Sequence, residues 1–132
     1  MADERKLTRA EKDELADARQ AFSLPGLDEL AEVLDDVAMG GADDDLLFHV
    51  GVWIGDWVAG QTGWVWIHVS FGPGLEAPAL VSSDRSLAML PLQLVGSVAD
   101  GAPAAELLGL LRRLETGARP SAPPRSFALV AP

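Results

Sequence analysis

Both histidines and all four tryptophans of the chain fall within residues 43–71, so acid–base or aromatic chemistry would have to be assembled there. On a helix, Asp45 and His49 sit one turn apart with Asp56 two turns further on, a spacing at which Asp45 and His49 can meet. That set lacks a third ligand within reach, and a histidine bonded to the carboxylate of the preceding turn is a commoner arrangement than a metal site or a catalytic base. Asp43-Asp44-Asp45 shares only its opening with a calcium loop, because the alternating ligands and the terminal glutamate are missing; a helix cap accounts for it better. His68 and Ser70 supply a base and a nucleophile in name, but neighbours two apart on a strand point the same way without making the bond such a pair needs. No glycine-rich phosphate loop follows a strand, and neither H-E-x-x-H nor G-x-S-x-G is present. The expectation is no catalytic residue, no metal site and no cofactor.

The element that must position these residues is read as a helix over 44–59, opened by carboxylates that suit the positive end of its dipole and closed at Gly60. Gly51, Gly55 and Ala59 then form a stripe of small residues against which another backbone can pack, which makes this helix the buried centre of the fold. Alternation of Leu46, Phe48, Val50, Val52 and Ile54 with their neighbours also allows a strand with a hairpin near Gln61-Thr62. Length decides for the helix, since an unbroken stretch of this size exceeds the usual strand. Residues 64–71 read as a strand with Val65, Ile67, Val69 and Phe71 toward the helices. Trp64, Trp66, His68 and Ser70 share the other side, where they form a pocket or interface unless a later element covers them.

Ahead of the centre, Thr8 and Glu11 have capping-box form before a helix over 9–22, and Leu27, Leu30, Ala31, Leu34, Val37 and Ala38 carry an amphipathic helix over 27–39. Beyond it, Leu80-Val81 and Leu87–Leu90 read as two short strands, Pro91 opens a helix reaching Gly101, and Leu107, Leu110, Leu111 and Leu114 mark a last helix over 103–116. The architecture expected is α+β: N-terminal helices and the central helix on a small three-stranded antiparallel sheet, followed by C-terminal helices. Residues 1–117 make one domain. Residues 118–132, with four prolines in fifteen positions, form an extended tail in which Phe127–Val130 can dock or add an edge strand.

The net charge of −10 is unevenly placed. No lysine or arginine occurs between Arg19 and Arg85, a stretch that carries Asp28, Glu29, Glu32, Asp35, Asp36, Asp43, Asp44, Asp45, Asp56 and Glu76. Such a field repels nucleic-acid phosphates and anionic lipid and steers a basic protein surface toward it; the plainer reading is a solubilising outer face. With no cysteine, no signal-like apolar core near the start and no run of membrane-span length, the chain reads as a cytoplasmic protein. Few lysines beside many arginines, with abundant Ala, Gly and Asp, point to a bacterial source.

The order helix, helix, Gly51-x-x-x-Gly55-Asp56 helix, tryptophan strand, short strands and Pro91-Leu92 helix resembles a group of small uncharacterised bacterial α+β domains over about residues 27–115. Those domains place a glutamate where Asp56 stands, and Trp53, Trp57 and Trp66 look like additions. The resemblance implies a fold and carries no activity. Two function classes follow from the residues. One is a non-catalytic module, such as an immunity protein or an adaptor, whose acids Asp28, Glu29, Glu32, Asp35, Asp36, Asp43 and Asp44 bind a basic protein. The other is a small-molecule-binding domain or enzyme built on the Trp64, Trp66 and His68 face. A homodimer that buries this face is a third arrangement. Only the first uses the charge segregation.

Overall fold

A computed structural model describes residues 2–132. The chain opens on a three-residue strand, β1 (Asp3–Arg5), and enters helix α1 (Arg9–Ala21) through a complete capping box. The Glu11 amide donates to Thr8 Oγ1 at 3.1 Å, and the Thr8 amide donates to Glu11 Oε1 at 2.9 Å. Helix α2 (Leu27–Ala38) follows the Leu24-Pro25-Gly26 break and buries Leu27, Leu30, Leu34 and Val37.

Helix α3 (Asp44–Thr62) starts at Asp43, whose carboxylate accepts from the Leu46 amide at 2.8 Å. It does not stop at Gly60, as the sequence suggests, but at Gly63, which takes the left-handed conformation at φ +79°. Gly60 is tolerated inside the helix, and the Thr62 hydroxyl, donating to the Val58 carbonyl at 2.8 Å, ties down the final turn.

Strands β2 (Val65–Ser70), β3 (Glu76–Val81) and β4 (Leu87–Met89) follow, then α4 (Pro91–Ala99) with proline in its first turn, α5 (Ala104–Glu115) and a two-residue β5 (Ala128–Leu129). The fold is α+β, but the sheet is five-stranded and mixed, in the order β1-β2-β3-β4-β5, rather than three-stranded and antiparallel. The two additional strands have no readable period. Strand β1 is Asp-Glu-Arg, held by pairing Asp3, Glu4 and Arg5 with Ser70, Val69 and His68. Strand β5 lies in the proline-rich tail and pairs parallel to β4, with the Ala128 and Val130 amides each donating at 2.8 Å to the Ser86 and Ala88 carbonyls. In both cases a neighbour's open edge recruits a segment that would not form a strand alone. Strand β3 runs the full length of β2, and Pro78 is accommodated because β4 pairs only with Leu80 and Val81.

The helices cover one face of this sheet, and it is the opposite face from the one expected. Trp64, Leu80 and Met89 join the main core with α2, α3, α4 and α5, whereas Ile67, Val69, Ala79, Val81 and Ala88 cluster on the other side with Phe127. Alternation separates two faces without saying which meets the helices. Gly55 decides it: a Cβ there would overlap the Trp66 indole, so at this position the small-residue stripe seats a tryptophan rather than a backbone. Gly51 faces α4, where a Cβ would stand 3.0 Å from the Leu92 Cα, and Ala59 is half-buried at the edge of the core. Among the described residues no helix is long and apolar enough to cross a membrane.

Candidate functional site

The residues singled out in the sequence separate into two regions. The first is the seam between α1, α3 and β2. Asp56, half-buried on the apolar α3, receives three hydrogen bonds: Arg19 Nε at 2.7 Å and Nη2 at 2.9 Å, and the Trp66 indole Nε1 at 2.9 Å. One carboxylate thus joins α1, α3 and β2, with both its oxygens occupied. The bond to Asp56 raises the Arg19 pKa, with desolvation opposing it.

About two turns of α1 away, at Glu11, His68 is 8% exposed and its Nδ1 lies 3.1 Å from Glu11 Oε2, while Nε2 is 3.8 Å from Glu76. Glu11 also accepts from Arg5 at 2.7 Å. Burial pushes its carboxyl up, but hydrogen bonds from Thr8, Arg5 and His68 outweigh that and hold it down at about 2. Trp64 is buried, and Ser70 is half-buried where β2 ends. The outer edge of Trp66 borders a cleft of about 260 Å³ with Lys6, Lys12, Val65 and Arg85. Apart from that edge, the aromatic and imidazole groups are taken up in contacts within the chain.

His49 does not bond Asp45. It stacks on Phe22 with ring centroids 6.5 Å apart, because α1 ends beside this turn of α3 and offers an aromatic surface instead. Among the described residues no three His, Asp or Glu side chains converge on a metal position.

The second region is the end of the molecule where α2 passes into α3. Asp28, at the far end of α2, pairs with Arg112 at 3.0 Å, and Glu29 is half-buried. Glu32, Asp35, Asp36, Asp44 and Asp45 are exposed, and none makes an ion pair among the described residues. Asp43–Asp45 have a local explanation, since they cap α3 and complement its dipole. Asp35 and Asp36 have none. They occupy the last turn of α2, the negative end of its dipole, where no basic residue offsets them. Immediately beyond lies Met39, 87% exposed, the most exposed large apolar side chain described.

Three features escaped the sequence reading. The Arg19–Asp56–Trp66 junction had a signal, a lone carboxylate inside an apolar helix, for which Arg19 was the last available base before the acidic stretch. The Glu11–His68 contact spans 57 residues and had none. Met39 was legible as a methionine standing one step beyond the apolar face of α2 and just before Gly40-Gly41. No protein-family model, curated protein or solved structure matches this chain.

Proposed function

We propose that this chain is a non-catalytic interaction module that binds a basic protein partner through the α2–α3 end, in the manner of an immunity protein or an adaptor. The observation that carries this reading is the placement of Asp35 and Asp36 against the dipole of α2, without a compensating base, beside the exposed Met39. Each such carboxylate costs about 0.3–1 kcal/mol of helix stability, which a purely solubilising surface has no reason to incur at that position. A flexible, exposed apolar side chain that follows unpaired carboxylates by one turn has the composition of a binding centre: methionine adapts to the partner's surface while the carboxylates steer its approach. The wider field, −10 over the whole chain, adds to that steering.

The test is a photo-crosslinking amino acid at position 39 in the source cell, compared with the same probe at Leu75, which is 58% exposed in the turn between β2 and β3. Position 39 should capture a protein with a basic surface, and capture should fade as salt rises. Equal capture at both positions, or an acidic partner at position 39, contradicts the reading.

A further inference from the structure

Five of the eight arginines are engaged in ion pairs: Arg5 with Glu11, Arg19 with Asp56, Arg85 and Arg125 with Glu4, and Arg112 with Asp28. Arg9 stands exposed at the start of α1. The remaining two, Arg113 and Arg119, line one cleft. It has a volume of about 400 Å³ and lies between the end of α5 and the segment carrying β5, with apolar walls that include Leu110, Leu114, Leu129 and Val130.

Arg119 is fixed without being neutralised. Its Nη1 donates to the Leu114 and Ala118 carbonyls at 2.9 and 2.7 Å, and its Nη2 donates to the Gln61 carbonyl at 3.1 Å. The Leu114 and Gln61 carbonyls belong to the last turns of α5 and α3, so two helix ends orient the guanidinium and leave its full charge in place. Its Nε–H and one Nη2–H make no bond among the described residues. Arg113 comes from the last turn of α5 and lies back along the helix, with Nη1 3.6 Å from where a Cβ on Gly109 would stand. Both arginines are lining residues of this cleft, and two like charges there favour the entry of an anion.

We propose that this cleft binds a medium-chain carboxylic acid, its carboxylate held by Arg113 and Arg119 and its alkyl chain laid over the leucine and valine walls. A planar carboxylate matches the guanidinium fork, and the volume is within the range of small-molecule sites. The surrounding −10 field disfavours a dianion more than a monoanion, which selects a carboxylate over a phosphate ester. This site is independent of the acidic end and stands or falls separately from it.

The experiment is calorimetric titration of the full chain with octanoate, octanol, acetate and octyl phosphate. Octanoate should bind at one site, with octanol, acetate and octyl phosphate each weaker by about tenfold or more, the effect of losing a charged hydrogen bond, the apolar chain or the charge match. Arg113→Glu, at an exposed position with no ion pair among the described residues, should weaken octanoate by at least the same factor while lowering the melting midpoint only slightly, the effect of reversing one charge at the C-terminal end of α5. Arg119→Gln should do likewise, and if it fails to fold, Arg113→Glu carries the test. Octanoate binding no better than acetate, or binding equally well to Arg113→Glu, overturns the proposal. So does a peptide that binds through its free C-terminal carboxylate when octanoate does not.

Discussion

The seam around Asp56 and the end around Met39 both carry carboxylates and use them in opposite ways. At the seam a carboxylate, an arginine, an indole and, nearby, a histidine satisfy one another, with Asp56 accepting three hydrogen bonds and His68 lying against Glu11. At the α2–α3 end, exposed carboxylates without ion pairs precede and follow in sequence a methionine that buries almost nothing. The difference teaches that residue type is a poor guide to function when partners are ignored. Trp66 and His68 invite a catalytic or binding reading as a sequence motif, yet they fasten α1 to the sheet. Asp35 and Asp36 invite no chemistry, yet they are the groups whose position folding does not explain.

The comparison breaks most readily at Gly55. Gly55→Leu would drive a side chain into the Trp66 indole and toward Leu80, and should destabilise the fold by about 3 kcal/mol in denaturant titration. An unchanged midpoint would mean that the seam is not tightly packed.

The second effect appears in acid. Because the folded-state pKa of Glu11 is depressed to about 2 from an ordinary 4.5, its contribution to stability is complete above pH 4.5 and is lost as pH falls from there toward 2. Glu11→Gln should flatten that part of the stability profile measured by chemical denaturation at a series of pH values. A parallel decline in both proteins would locate the acid sensitivity elsewhere.

Third in size is Asp56→Ala, which strands the Trp66 N–H and releases Arg19. The Arg19 side chain is 46% exposed, so solvent screens the ion pair and most of the loss should come from the indole. About 1–2 kcal/mol of destabilisation is expected, with a change in tryptophan fluorescence.

What could be read from the chain alone follows the same division. Amphipathic periods, the Thr8 capping box, the Asp43 cap and Pro91 at a helix start are local features, and the structure has all of them. Strand β1 was not legible, because Asp3–Arg5 is wholly charged; Phe127–Val130 could be read only as a docking segment or an edge strand, and its pairing, like that of β1, is dictated by a neighbour's edge, β4 for one and β2 for the other. The orientation of the tryptophan strand was equally hidden. Period-two alternation is symmetric between faces, and only the three-dimensional match of Gly55 to Trp66 breaks the symmetry. At the acidic end both the charges and the end of the helix were plain in the sequence, which places Asp35 and Asp36 in its last turn, whereas their lack of an ion-pair partner among the described residues became visible only in the structure.

The smallest effect on stability, and the most informative, belongs to the triple variant Glu32→Gln, Asp35→Asn, Asp36→Asn. All three side chains are exposed and the apolar face of Leu30, Leu34 and Val37 is untouched, so stability should stay within about 1 kcal/mol of the parent and rise rather than fall as the dipole clash is relieved.

The measurement that bears most directly on the acidic end is the association rate of the partner captured at Met39, taken with the parent and the triple variant across a salt series. Attraction screened over a Debye length of about 8 Å at physiological salt should make the parent associate fast at low salt and slow steeply as salt rises, with dissociation little changed. The triple variant should associate more slowly at low salt and respond less to added salt. If the two proteins associate at the same rate at low salt, the carboxylates of α2 only solubilise the molecule and the account of the acidic end is wrong.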